Sequence, residues 1–183
     1  RTDTLPEYQG PFPQIHLYQA ICKGKKMDQI VRQATELGTS RIIPVISEHT
    51  VVDVSHRSEG KVSRYETVVK EALQQSGSPV ITQIEPFLSL KEVGNHWNHR
   101  GPAYVLHQSA TGPQSSFIEL LRQHADAPVA LLVGAEGGFS EQEIDLVVQQ
   151  GFVPVLLKTN ILRAETAAIA ALAVAQQILV DTM

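Results

Sequence analysis

Cysteine is almost missing from this chain. Cys22 is the only one in 183 residues, so neither an intrachain disulfide nor a cysteine-based zinc site can form. A reducing, intracellular compartment is the simpler setting. A basic excess is missing too: 15 Lys and Arg face 19 Asp and Glu, a net charge of -4. That withdraws the global signature of a dedicated nucleic-acid binder and leaves any such role to local patches. No apolar run reaches the length of a membrane span, since Ala167 to Val180 is apolar but short and dominated by alanine. No signal peptide, internal repeat or low-complexity tract is visible in the sequence. The chain opens at Arg1 rather than a methionine, as a fragment or a processed product does. With 43% hydrophobic residues, it has the material for one compact domain around a single core.

Strand-like and helix-like stretches alternate. Gln14 to Ile21 reads as a strand. Met27, Ile30, Val31, Ala34 and Leu37 then share a helical face that Gly38 ends. Arg41 to Val45 is strand-like, with Pro44 pushing it toward an edge or a strand end. Val62, Tyr65, Val69, Ala72 and Leu73 mark a second helix, broken at Gly77-Ser-Pro79 before a short strand over Val80 to Ile84. Leu88 to Gly101 is weakly patterned, and Gly94 to Pro102 reads as a loop. Ala103 to His107 is a strand, and Phe117, Leu120 and Leu121 mark a helix. Pro128 to Val133 is continuously apolar, as in a strand covered on both faces. After Gly134-Ala-Glu-Gly-Gly138, Ser140-Glu-Gln-Glu143 forms a capping box for a helix that turns Ile144, Val147 and Val148 inward and ends at Gly151. A strand over Val153 to Leu157, a loop at Lys158-Thr-Asn160 and a long alanine-rich helix from Ile161 to Leu179 complete the chain. Such alternation predicts an α/β domain with a mainly parallel sheet and helices on both faces. Ligands on such sheets sit beyond the carboxyl ends of the strands, where the loops at Gly134 and Lys158 lie.

Two segments carry chemistry. Gly134-x-Glu-Gly-Gly138 joins a buried strand to a capped helix, and its glycines let a ligand approach the backbone. No Gly-Lys-Ser/Thr follows, so it is not a phosphate loop, and Glu136 would repel a bound phosphate. A plain strand-to-helix turn is an equal alternative. In Ile161-Leu-Arg-Ala-Glu-Thr-Ala167, Glu165 suits a helix N-terminus while Arg163 does not. The misplaced cation is either a partner for Glu136 or Glu165 or a contact for an anionic substrate. His96 and His99 lie in the expected loop with no third ligand nearby, which argues against a metal site.

Taken together, Leu132 to Ser140 and Ile161 to Ala167 closely resemble the bacterial ribosomal RNA N3-uridine methyltransferase family of the SPOUT superfamily. Lys23-Gly-Lys-Lys-Met27, Ala34-Thr-Glu-Leu-Gly38 and Glu71 to Gly77 extend the likeness, which covers about Ile15 to Leu179. The resemblance implies a C-terminal deep trefoil knot, S-adenosylmethionine as methyl donor, a small-subunit ribosomal RNA substrate, a homodimer and a cytoplasmic location, with neither membrane nor metal. It places the donor against Leu106 and His107, against Gly134, Glu136, Gly137 and Gly138, against Leu156, Leu157 and Lys158, and against Ile161, Leu162 and Arg163. Arg163 is the expected stabiliser of charge on the uracil oxygens. Glu136 is expected to orient the substrate or assist loss of its proton. Lys23, Lys25 and Lys26 form the expected RNA patch. The resemblance also implies a small β-barrel RNA-binding domain ahead of this one. The sequence does not include such a domain, so residues 1–13 are expected to be the linker that would follow it and 14–183 the methyltransferase domain.

Several positions depart from the family pattern. Gln33 stands where lysine is common, Ser78 and Asn160 where arginine is common, Lys158 where glycine is usual, Ala135 for proline and Ala164 for threonine. Loss of three basic positions weakens phosphate contacts, and Lys158 would crowd a donor that needs the room of a glycine. The competing expectation is therefore a weak or silent SPOUT relative that binds RNA or a protein partner.

Overall fold

The computed structural model describes residues 12–48, 50, 58–108, 116–124 and 127–182. Most of the expected linker, residues 1–11, lies outside them. The elements run β1 (Ile15–Ala20), α1 (Lys26–Glu36), β2 (Arg41–Ile46), α2 (Ser58–Ser76), β3 (Gln83–Ile84), β4 (Leu88–Ser89), α3 (Val93–Trp97), β5 (Ala103–Leu106), α4 (Phe117–Arg122), β6 (Val129–Val133), α5 (Glu141–Gln149), β7 (Val153–Val155) and α6 (Ala164–Thr182). One sheet joins all seven strands in the order β3-β2-β1-β6-β5-β7, with β4 also on β2, and every pairing is parallel.

The central strands are buried on both faces. Every residue of β1 and of β6 is buried, so side chains of either parity meet protein. On one face, Tyr18 meets Trp97 and Phe152 edge-on. On the other, α6 lies against β1 and β6, flanked by α1 and α4, while α2 backs α1. By length and composition α6 is long and apolar enough to cross a membrane, which corrects the expectation that this run is too short. Its buried stripe of Ala164, Ala168, Ala171, Leu172, Ala175 and Leu179 faces the core, and the small side chains let it lie close to the sheet.

Other departures have local causes. Strand β2 is not an edge strand, since β1 flanks it on one side and β3 and β4 on the other. Its buried Pro44 is accommodated because the outer neighbour is broken. Pairing covers Arg41 and Ile42, then resumes at Val45 and Ile46. The Ile42 carbonyl accepts from the Glu85 amide on that outer side, so Pro44, two residues on, turns its missing N–H to the gap. The expected loop at Gly94 contains α3, because Val93 and Trp97 are buried and the Trp97 indole N–H donates to the Gly101 carbonyl at 2.9 Å. In α5, Val147 is fully buried but Val148 is 43% exposed. The capping box at its start forms as expected, with Ser140 accepting from the Glu143 amide and Glu143 from that of Ser140.

Candidate functional site

Four neighbouring strands, β1, β6, β5 and β7, end side by side, and the loops after them enclose a cleft of about 830 Å³. The loops at Gly134 and Lys158 follow strands that are consecutive in sequence but not adjacent, since β5 stands between β6 and β7. That places Leu106 and His107 in the wall between them. Of the expected donor residues, Leu106, His107, Gly134, Glu136, Gly137, Gly138, Leu156, Leu157, Ile161, Leu162 and Arg163 all line the cleft. Lys158 is exposed and stands outside the lining, while Thr159 and Asn160 belong to it. The Thr159 amide donates to the Leu157 carbonyl at 2.7 Å, a tight bend in that wall.

The glycine turn is closed on itself. The Gly138 amide donates to the Ala135 carbonyl at 2.9 Å, and Gly138 has φ +68°. A Cβ on Gly134 would lie 3.1 Å from the Gly138 Cα, so a side chain there would press on the turn and shift it slightly. Backbone is thus what this wall presents, between apolar side chains at Leu106, Leu156 and Leu162. A cleft of this size, mostly apolar with a few convergent polar groups, suits a small organic ligand.

Charge in the cleft is sorted by an unexpected pair. Glu136 accepts from the Lys26 ammonium at 2.8 Å and from the Lys23 amide at 3.1 Å, through one carboxylate oxygen. Burial works against its charge, but the Lys26 hydrogen bond and the backbone donors outweigh it and hold the carboxyl below its ordinary range. The same bond raises Lys26. Lys26 is therefore ion-paired in the wall of the cleft, while Lys23 and Lys25 of the expected RNA patch are exposed. Arg163 takes neither of the partners open to it. It forms no ion pair among the described residues, and its carbonyl accepts from the Ala167 amide at 2.8 Å as α6 begins. Its guanidinium is exposed at the cleft.

Sequence reading missed the buried groups behind the wall. Gln19, at the end of β1, is fully buried beside the glycine turn. The nearby Cys22 thiol is pushed up to about 12 by burial and then by the charge of Glu136, so it is a packing residue rather than a nucleophile. His96 is no half of a metal pair: its ring bonds the Tyr18 hydroxyl at 2.8 Å and Glu85 at 3.2 Å. Among the described residues, no three His, Cys, Asp or Glu side chains converge as a metal site.

Residues 9–176 match the model of the RNA methyltransferase domain family. The chain is 32% identical to ribosomal RNA small subunit methyltransferase E of Aquifex aeolicus, over 89% of this chain and 68% of that protein. Two solved structures share its fold. A methyltransferase from Legionella pneumophila with bound S-adenosylmethionine is 32% identical with a TM-score of 0.82. A ribosomal RNA small subunit methyltransferase E from Neisseria gonorrhoeae, bound to the same molecule, is 30% identical with a TM-score of 0.79. Each match covers 90% of this chain and 66% of the other, so the chain spans about two thirds of the proteins it resembles. It belongs to the RNA methyltransferase domain family.

Proposed function

We propose that this domain transfers a methyl group from S-adenosylmethionine to N3 of a uridine in small-subunit ribosomal RNA, as a homodimer in the cytoplasm. The observation that carries the reading is the cleft itself: a closed glycine turn, apolar walls and an unpaired Arg163, at the ends of four parallel strands. The donor fits this lining. It carries no phosphate, so an acid in the turn does not repel it, and Gly134 and Gly138 leave backbone open to it. The trefoil knot implied by the resemblance would bring the turn at Gly134 and the loop before α6 against one ligand, and both line this cleft. The names and ligands of the relatives support the donor and the ribosomal RNA class.

When bound, S-adenosylmethionine supplies an electrophilic methyl on a sulfonium. The chain's own residues then have three tasks. Leu106, Gly134 to Gly138, Leu156, Leu157, Ile161 and Leu162 hold the donor and exclude water, which sets up in-line attack. Arg163 stabilises negative charge as it spreads onto the uracil oxygens. A third group must take the N3 proton. Glu136, held ionised by Lys26, is a poor proton acceptor and is better suited to positioning. His107 lines the same cleft, and its ring forms no ion pair or hydrogen bond among the described residues, so we assign the proton to it.

The test is calorimetry with S-adenosylmethionine followed by methyl transfer to small-subunit ribosomal RNA, with mass spectrometry of the nucleosides. Arg163→Ala should lower kcat about 100- to 1,000-fold while donor Kd moves less than about threefold. No donor binding at millimolar concentration would sink the enzyme reading in favour of a silent relative that binds RNA or a protein. Methyl on another base position would keep the enzyme and reject N3.

A further inference from the structure

Gln19 belongs to no motif, yet it is the buried polar group that touches the glycine turn. Its side chain is wholly shielded from solvent, and its amide nitrogen approaches four acceptors. The Ala20 carbonyl is 2.9 Å away, that of Gly134 3.3 Å, that of Val133 3.4 Å, and the Cys22 sulfur 3.7 Å. Because every one of these is an acceptor, the carboxamide must present its N–H end to them; turned over, its oxygen would face three carbonyls. The amide oxygen is left buried with no partner among the described residues, a cost accepted only where the donor end is needed.

The contacts join two pieces of the cleft. Val133 and Gly134 end β6 and open the glycine turn, while Ala20 and Cys22 begin the loop whose Lys23 amide and Lys26 ammonium hold Glu136. Without Gln19, the Val133 and Gly134 carbonyls lose their side-chain donor just where the turn leaves the sheet. We infer that Gln19 is a positioning residue for the methyl-donor pocket: its carboxamide fixes the Val133–Gly134 backbone and so sets the shape of the turn that holds the donor. It touches no substrate and has no part in methyl transfer itself. The inference rests on the reading of this cleft as the donor site.

Two variants test it by donor binding rather than turnover. Gln19→Leu keeps the bulk and removes both N–H groups. Its S-adenosylmethionine Kd by calorimetry should rise about tenfold, the scale of losing buried hydrogen bonds, and donor KM should rise with kcat nearly unchanged. Gln19→Glu supplies a distinctive readout. A carboxylate facing carbonyls cannot donate, whereas the protonated acid can, and burial among acceptors favours the neutral form. Its donor Kd relative to wild type should therefore be worst near pH 8.5 and approach wild type near pH 5.5. A general packing defect predicts no such recovery. Donor affinity of Gln19→Leu within twofold of wild type, or a pH-independent ratio for Gln19→Glu, overturns the assignment. Should Gln19→Leu not fold, the pH dependence of Gln19→Glu decides alone. Absence of donor binding by the wild type would instead reject the donor-site reading, so the two failures are distinct.

Discussion

His16 gives a quantitative test of the packing at the foot of the sheet. Its ring lies edge-on to Trp97 at 5.1 Å, is 2% exposed, and leaves Nδ1 without a partner among the described residues. Burial, with the charges of Arg41 and Arg100 adding to it and that of Glu85 opposing, holds its pKa down to about 3 from an ordinary 6.5. The unfolded chain therefore binds a proton between these values that the folded chain refuses. The sign follows from linkage: full stability is present above pH 6.5 and is lost as pH falls. At about pH 4.5 the imidazole alone removes roughly 2.5 kcal/mol, at ~1.4 kcal/mol for each pH unit. That is a large share of the usual 5 to 15 kcal/mol (roughly) of a domain. Glu85 does not confuse this window. The His96 bond, then the Arg41 bond and charge, outweigh burial and hold it at about 2, so its contribution is lost only below its ordinary 4.5. Urea unfolding of wild type and His16→Leu near pH 7 and 4.5 measures the difference. Wild type should lose roughly 2.5 kcal/mol more than the variant over that interval. Equal losses would refute the argument.

The exposed lysines and His107 give the remaining tests. If Lys26 is committed to Glu136, Lys26→Met should leave the slope of log affinity for RNA against log salt nearly unchanged. Lys25→Met should flatten it by roughly 0.7 to 0.9, the value of one phosphate contact; filter binding across a salt series reads both, and equal effects would return Lys26 to the RNA patch. His107→Asn should lower the methyl-transfer rate about 100-fold or more at neutral pH and regain much of it in alkali, where hydroxide takes the N3 proton. A defect that persists at high pH would mean that His107 shapes the cleft rather than accepting a proton.

The segments legible in the sequence were those whose local signals agreed. The apolar run Pro128 to Val133 reads as a doubly covered strand, and the Ser140–Glu143 box marks the start of α5. Together they framed the glycine turn. The strand expected over Val80 to Ile84 shrinks to the two residues of β3, and β4 was invisible because it is two residues long and defined by its pairing with β2. The short helix α3 was hidden for a related reason: its fixed points, Val93 and Trp97, are held by burial rather than by helical periodicity. Val148 was assigned inward by spacing alone, but α5 covers a sheet edge where only a narrow stripe is buried. Pro44 points to an edge or a strand end, yet it lies inside β2 in the middle of the sheet, because a break in the neighbouring strand accommodates it.

The candidate site was legible to a different degree on its two sides. Backbone walls follow from glycines and strand ends, which are local, and these residues line the cleft together. Charge pairing is not local. Lys26 and Glu136 are separated by 110 positions, and nothing in either motif announces that they meet. Their meeting changes both roles at once. It ties up the Lys26 ammonium that phosphate would otherwise meet and lowers the basicity of Glu136. Lys158, feared as an obstruction, stands outside the lining and is left as a cation beside the cleft. Among the described residues, the exposed cations on the loops about the cleft are then Lys23, Lys25, Lys158 and Arg163, and the proposed reaction uses Arg163 at the base. If the three lysines each met a phosphate, the salt slope would be only about −2 to −3. On the proposed function, recognition of the target nucleotide by this face would then rest on the shape of the RNA at the cleft more than on charge.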